Sequence, residues 1–441
     1  MTDSDLDRLA DEAQADIQRD LALLEAEDAK DAARAERDAF EIRGEGRYRF
    51  QRPGLSIEID FLRRTGGALR GEVIVRTTIP GARTSGDVLS AEDLNLSSSR
   101  ARRSFGLHLA ERCQVEDFDF VGFVETFCIR VLAAERQGQP AVLLSDLPRP
   151  TPDEALEVDG LPLLARHPLI IFGDGGTTKS YIALYIAGKL AQRGKRVGFF
   201  DWELAGEDHR DRLERLFGGE MPPVSYARCT RPLFHELDRL RRIVRDKNLD
   251  FAIFDSIAPA CDGPPESAET AGRYFQALRQ LGEVGSLHTA HITKAQEGAD
   301  RRPFGSTFWH NLARATWNVK LADAVPDDTV VTIALYNRKS NLGPLSRAVG
   351  FEFGFDQDRT LVRRVNPGDV PDLAASMSVG ERIAFTLRQG PRTREQIRAA
   401  LEDVKPSTLR SALHRAEGKG RILRFPDGTE ERFSLPERWR S

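Results

Sequence analysis

Eight consecutive residues carry chemistry that the rest of the chain must position: Gly173, Asp174, Gly175, Gly176, Thr177, Thr178, Lys179 and Ser180. Successive backbone N–H groups of such a glycine-rich turn, ending on a helix N-terminus, point at one place and suit the oxygens of a di- or triphosphate. Lys179 is spaced to reach the β/γ-phosphates, and the Ser180 hydroxyl to complete a Mg²⁺ shell. The apolar run Pro168–Ile171 before the turn and the helical pattern Tyr181–Ala187 after it supply the strand and helix that this chemistry requires. One position departs from the pattern G-x-x-x-x-G-K-[ST]: Thr178 stands where the second glycine belongs. A β-branched residue is costly there if the backbone needs positive φ, and harmless if it does not.

Hydrolysis of a bound phosphoanhydride needs carboxylates in two roles, one at the metal and one orienting and deprotonating the attacking water. Two buried-type strands downstream end on acids: Arg196–Phe200 runs into Asp201-Trp202-Glu203, and Phe251–Phe254 into Asp255-Ser256. A third candidate strand, Leu287–Thr293, carries His291 and is followed by Lys294. Strand C-termini in such sheets face the ligand crevice, so the three ends converge on one phosphate site. Asp255 fits the metal role beside Ser180, and Glu203 the base role. Taken alone, Asp255 also suits a turn after a strand, and Glu203 an acid in a helix's first turn.

The order of these motifs resembles a family. The glycine-rich turn, Phe200-Asp201-Trp202-Glu203, Phe254-Asp255, His291-Ile292-Thr293-Lys294, Gly305-Ser306-Thr307 with Arg314, and Lys339-Ser340-Asn341-Leu342-Gly343-Pro344 together look like the RepA-type ATPases of the RecA/DnaB group of hexameric helicases. The resemblance covers about residues 150–362, under half of the chain. It implies ATP and Mg²⁺ as cofactors, Lys179 and Ser180 at the phosphates and metal, Glu203 as base, Asp255 at the metal, and His291 as a sensor of the γ-phosphate or of DNA. It further implies a homo-hexamer or other homo-oligomer with single-stranded DNA through the ring. One of Arg314, Arg338 and Lys339 would then act in trans, delivering a cation to the charge that builds on the transferring phosphoryl group. The sequence leaves open which one. Ala290 stands where many members carry a first histidine.

The elements around this centre divide the chain into six stretches. Residues 1–45 read as an acidic helical or disordered arm, the first 40 holding 13 acidic and 5 basic side chains. Residues 46–140 alternate in period two from Tyr48 to about Pro80, with Gly66-Gly67 as a hairpin turn, and then turn helical over Ala91–Glu111 and Phe120–Gln137. They form a small α+β domain of no assigned chemistry, and its cluster Arg100, Arg102, Arg103 suits either phosphate contact or a solvated helix face. Residues 141–166 read as a proline-rich linker, 167–365 as an α/β, RecA-like core with a mainly parallel sheet, and 366–377 as a second linker. Residues 378–441, with 14 basic and 9 acidic side chains, read as a winged helix of three helices and an Asp427-Gly428 hairpin. Its third helix and wing offer Arg410, His414, Arg415, Lys419, Arg421 and Arg424 to duplex DNA, and protein contacts are the alternative use.

Composition narrows the class. The 441-residue chain carries four cysteines without C-x-x-C spacing and a net charge of −4. This fits a reducing compartment and no structural metal. No apolar run approaches the ~20 residues that span a bilayer, so the expected location is the cytoplasm, with no membrane partner. Together these features point to an ATP-dependent DNA-binding motor, with an ATP-gated DNA-binding assembly that does not unwind DNA as the alternative.

Overall fold

The computed structural model describes residues 39–44, 46–115, 118–138, 141–148, 156–291, 306–322, 329–341, 343–428 and 430–436. Most of the expected acidic arm, the segment Ile292-Thr293-Lys294, Gly305 and Leu342 lie outside them. The chain divides into two compact units, residues 1–149 and 150–441.

The first unit is an antiparallel sheet of five strands in sequential order: β1 (Ala39–Gly44), β2 (Arg47–Arg52), β3 (Leu55–Thr65), β4 (Ala68–Thr77) and β5 (Val88–Asn95). Alternation in β3 buries Ile57 and Ile59, and Gly66 and Gly67 turn the chain at φ of +57° and +83°. Two positive φ values in a two-residue loop suit the twist of the strands that flank it. The helix expected from Ala91 starts later, because Val88–Asn95 pairs with β4 and only Ser98, accepting from the Ala101 N–H, caps a helix. Helices α1 (Ser99–Cys113) and α2 (Phe120–Gln137) then pack Phe105, Leu109, Phe123 and Phe127 with the buried strand residues. Arg102 donates from Nε and Nη2 to both Glu125 carboxylate oxygens, at 2.7 and 2.8 Å, and to the Leu96 carbonyl at 2.5 Å. Of the three arginines singled out there, it joins α1 to α2 and is not offered to a ligand.

The second unit opens with a hairpin inside the expected linker: β6 (Glu157–Val158) and β7 (Leu161–Pro162) pair around Gly160, and Val158 and Leu161 are buried in the main core. The core elements follow as β8 (Pro168–Gly173), α3 (Lys179–Gln192), β9 (Val197–Asp201), α4 (Gly206–Leu216), β10 (Val224–Arg228), α5 (Leu233–Asp246), β11 (Phe251–Asp255), α6 (Ile257–Ala260), α7 (Ala268–Gln280), β12 (Gly285–His291), α8 (Thr307–Leu312), β13 (Ala315–Leu321), β14 (Val330–Ser340), β15 (Val349–Phe355) and β16 (Thr360–Val365). Nine strands form one sheet in the order β10-β9-β11-β12-β8-β13-β14-β15-β16. The pairs from β10 through β13 are parallel, and the last three pairs antiparallel. This is the RecA-like α/β core. Two apolar layers cover the sheet, one built on α3 (Ile182, Ile186, Leu190), the other on α5 and α7 (Leu240, Tyr274, Phe275). Parallel strands buried on both faces read as continuous apolar runs, which is why Leu169–Phe172 and Phe251–Phe254 stand out in the sequence.

The second expected linker is also packed. In it, α9 (Pro371–Ala374) buries Leu373 against Ala334 and Tyr336, and the Tyr336 hydroxyl donates to the Leu373 carbonyl at 2.5 Å. Beyond it lie α10 (Val379–Arg388), β17 (Arg392–Thr393), α11 (Arg394–Ala400), α12 (Pro406–Gly418), β18 (Leu423–Asp427) and β19 (Glu430–Ser434), with a three-stranded sheet ordered β17-β19-β18. Capping boxes at Ser378/Glu381 and Thr393/Gln396 start the first two of these helices.

Candidate functional site

The site is assembled by strand register. Asp201 and Asp255 are partners across β9 and β11, and His291 and Gly173 across β12 and β8. The turn Gly173–Ser180 therefore opens over the ends of the strands that carry the acids. Thr177 donates to the Asp174 carbonyl at 2.8 Å and closes the turn, and Gly176 takes φ of +75°. Thr178 also sits in the left-handed region, at φ +52°, ψ +26°. This position does need positive φ, so the threonine carries strain that glycine would not.

Lys179 is 7% exposed, and its ammonium lies back on its own loop, donating to the Asp174 carbonyl at 2.6 Å, the Gly173 carbonyl at 3.2 Å and the Thr177 hydroxyl at 3.3 Å. Burial pulls its pKa down to about 8, and the negative charges of Asp255, Glu203 and Asp174 oppose the fall. A phosphate entering the loop replaces carbonyls with charged oxygens around this ammonium, an exchange for stronger hydrogen bonds.

Asp255 is 2% exposed. Its Oδ1 accepts from the Thr289 hydroxyl, whereas Oδ2 is buried without a hydrogen-bond partner. Burial pushes its carboxyl above the usual range, the Thr289 and Ser180 hydroxyls pull it back, and Glu203 adds repulsion. An orphaned carboxylate oxygen beside a serine hydroxyl is a hard-oxygen pair that a divalent cation would satisfy, so Ser180 and Asp255 fit Mg²⁺. Glu203 accepts from the Ser256 hydroxyl, the residue after Asp255. His291 lies at the exposed end of β12, its pKa held down by burial and by the Lys179 charge while Glu203 and Asp255 oppose. Lys179, Glu203, Asp255 and His291 thus feel one another's charges.

Asp201, wholly buried, has a different job from Glu203. Its Oδ1 accepts from the Glu203 N–H at 3.1 Å, and its Oδ2 from the Leu204 N–H at 3.0 Å and the Tyr226 hydroxyl at 3.1 Å, with His209 Nε2 at 3.4 Å. Burial alone would raise its carboxyl, but His209, the Glu203 N–H and Tyr226 outweigh it and hold the group below its ordinary value. Asp201 fixes the turn that presents Glu203. Ser256, Thr289, His209 and Tyr226 were not legible as site residues. The available signal was the Thr289 hydroxyl, two residues before His291 in a strand that the fold buries.

The three basic residues separate. The Lys339 ammonium donates to the carbonyls of Asn311 at 2.6 Å, His310 at 2.8 Å and Ala313 at 2.8 Å, closing the C-terminus of α8. With all three N–H donors engaged inside its own chain, it holds this helix end and is not presented to a neighbour. Arg338 stacks over the Tyr336 ring at 5.3 Å, and both residues lie within β14. Arg314 is exposed between α8 and β13 and has no side-chain partner among the described residues. In the C-terminal module, Arg410, His414, Arg415, Lys419 and Arg421 are exposed, but Arg424 is paired with Glu417 at 2.9 Å and Glu431 at 3.4 Å. Its charge is largely spent within the module.

Residues 134–297 match the AAA_25 family model, described as an AAA domain. That span runs from before the glycine-rich turn to beyond His291. That stretch of the core is similar to the family. Among solved structures, the chain is similar to a KaiC-like protein from the hyperthermophilic archaeon Pyrococcus horikoshii OT3, with 14% identity, coverage of 46% of this chain and 92% of that one, and a TM-score of 0.36. The flagellar accessory protein FlaH from Methanocaldococcus jannaschii is also similar, with 15% identity, 50% and 97% coverage and a TM-score of 0.35. No curated protein matches the chain. No helix among the described residues is long and apolar enough to cross a membrane.

Proposed function

We propose that the chain is an ATP-hydrolysing, DNA-bound motor of the RepA-like kind, working as a homo-hexameric ring. The observation that carries the ATPase reading is the Asp255–Ser180 pair, a buried carboxylate with an unmet oxygen next to a hydroxyl, directly below a loop whose lysine has only carbonyls and a hydroxyl to bind. When bound there, Mg²⁺ would neutralise charge on the β- and γ-oxygens. Lys179 leaves its loop carbonyls for those oxygens. Glu203, oriented by Ser256 and by the turn that Asp201 holds, accepts a proton from the attacking water. His291, kept neutral, senses the terminal phosphate or its loss. Arg314 is the best-suited cation to act in a neighbouring subunit's site, since Lys339 is engaged and Arg314 is not.

The DNA reading rests on the sequence order shared with RepA-type ATPases and on the C-terminal module, whose α12 and following turn expose five basic side chains. Read as a winged helix, that module would take duplex DNA through phosphates. The pairing of Arg424 with two carboxylates favours a second reading, an ATP-gated assembly on DNA that does not translocate. ATP-dependent unwinding of a forked duplex, together with mass measurement with and without ATP, separates them. Unwinding by a ring supports the motor, hydrolysis without unwinding selects the second reading, and no hydrolysis removes both.

A further inference from the structure

A cavity of about 640 Å³ opens where the ATPase core meets the C-terminal module, and three arginines line it: Arg347 before β15, Arg364 on β16 and Arg388 at the end of α10. Their positions on three elements make it a built concavity and not a run of neighbours in sequence. Arg364 is fixed in place, its Nη1 donating to the carbonyls of Gly350 at 3.0 Å and Val365 at 3.1 Å, with the guanidinium stacked over Phe351 at 5.6 Å. Gly160 keeps the approach open, since a Cβ there would lie 2.8 Å from Arg364 Nη2.

The carboxylates near this cavity, Asp159 and Glu157, offset the desolvation of Arg364 only in part. Glu157 is the acid in the lining, and it accepts from the Gly160 N–H at 2.9 Å. Asp159, which also acts on Arg364, accepts from the Tyr185 hydroxyl. Neither Arg364 nor Arg388 has an ion pair among the described residues. Burial holds both guanidiniums below the usual arginine range, and Arg347 adds repulsion at Arg388. Converging cations in a partly desolvated concavity are unfavourable until an anion enters, and arginine forks match phosphate oxygens best.

We infer that this cavity binds phosphate groups, and that a nucleic-acid strand running between core and C-terminal module is their source. The source, though not the phosphate chemistry, rests on the DNA reading above. The test uses the full chain and the variants Arg388→Glu, Arg347→Glu and Arg364→Lys, with a 30-nucleotide single strand, the matching duplex and inorganic pyrophosphate as probes. All three arginines are exposed, and thermal unfolding of each variant separates a fold defect from lost binding; Arg364→Lys keeps the charge but loses the fork. Binding to one of the nucleic-acid probes is expected to weaken about tenfold in each charge-reversal variant, the log–log salt slope to fall by about one, and DNA-free ATP hydrolysis to stay unchanged. Pyrophosphate is expected to raise the melting temperature of the wild type and not of Arg388→Glu. Unaltered strand binding and unaltered slope in both variants overturn the nucleic-acid source even if DNA binding itself is real. Should the wild type bind no nucleic acid, the DNA reading fails separately; an Arg388-dependent pyrophosphate shift then sustains the phosphate site, and its absence overturns it.

Discussion

The strain at Thr178 makes a quantitative prediction. At φ +52° the Cβ of any L-residue crowds its own carbonyl, at a cost of about 1–2 kcal/mol, which glycine escapes. Glycine also loses more chain entropy on folding, about 0.4–1 kcal/mol against alanine. The net expectation is that Thr178→Gly is more stable than Thr178→Ala by about 1 kcal/mol. Alanine is the proper reference, because it keeps the Cβ while losing the bond from the threonine hydroxyl to the Thr177 carbonyl at 2.8 Å, as glycine does. For a domain of this size that difference is about 2–4 °C in melting temperature.

Paired thermal and urea unfolding of the two variants reads it directly. Nucleotide affinity carries the complementary information. The positive φ belongs to the turn itself, closed by the Thr177 hydroxyl on the Asp174 carbonyl, so the strain is expected to be common to the free and bound states and to cancel in Kd. Thr178→Gly is therefore expected to change nucleotide affinity by less than about threefold, well under the factor of 10 that 1.4 kcal/mol would give. Equal stability of the glycine and alanine variants would refute the strain. A tenfold gain in affinity without a gain in stability would mean that the loop reaches its strained form only on binding, contrary to the geometry described.

Three further outcomes follow from the site. Glu203→Gln should retain nucleotide and lower kcat by about 10²- to 10⁴-fold, with Ser256→Ala producing a smaller loss of kcat at unchanged KM; single-turnover hydrolysis and nucleotide titration check both. Arg314→Ala should abolish hydrolysis while sparing stability and nucleotide binding, whereas Lys339→Ala should cost about 1–2 kcal/mol of stability by leaving the end of α8 open, so a calorimetric scan beside the ATPase assay separates the two. His288, buried between the Tyr274 and Ser286 hydroxyls, has a pKa lowered by burial to about 3. The unfolded chain takes up this proton near pH 6.5 and the folded chain does not, so stability is full above pH 6.5 and declines as pH falls toward 3, by about 2 kcal/mol between pH 7 and 5. His288→Gln should flatten the unfolding profile over that window by the same amount.

What could be read from the sequence and what could not divide along one physical line. The glycine-rich turn, the strand-terminal acids and the parallel core were legible because each is local: an apolar run, a turn and a helix lie within about twenty residues, and period and composition report them directly. The two linkers were read from their prolines, glycines and acids, whereas Val158 and Leu373, each isolated between polar or small neighbours, find places in cores built by distant segments. No window detects one residue. The same limit governs the site. Ser256 follows Asp255 by one position, but its partner Glu203 is 53 residues earlier; Thr289 reaches Asp255 across 34 residues, and Tyr226 reaches Asp201 across 25. Lys339 shows why residue type alone misleads. As a sequence, Arg338-Lys339 after an apolar strand is an exposed cationic pair suited to a neighbour's phosphate. In the fold, α8 ends where its last carbonyls need donors, and an ammonium 26 to 29 residues away supplies all three. A helix end without donors is costlier than a surface cation without a partner, so the fold claims the lysine, whereas the exposed Arg314 has no hydrogen bond or ion pair from its side chain among the described residues.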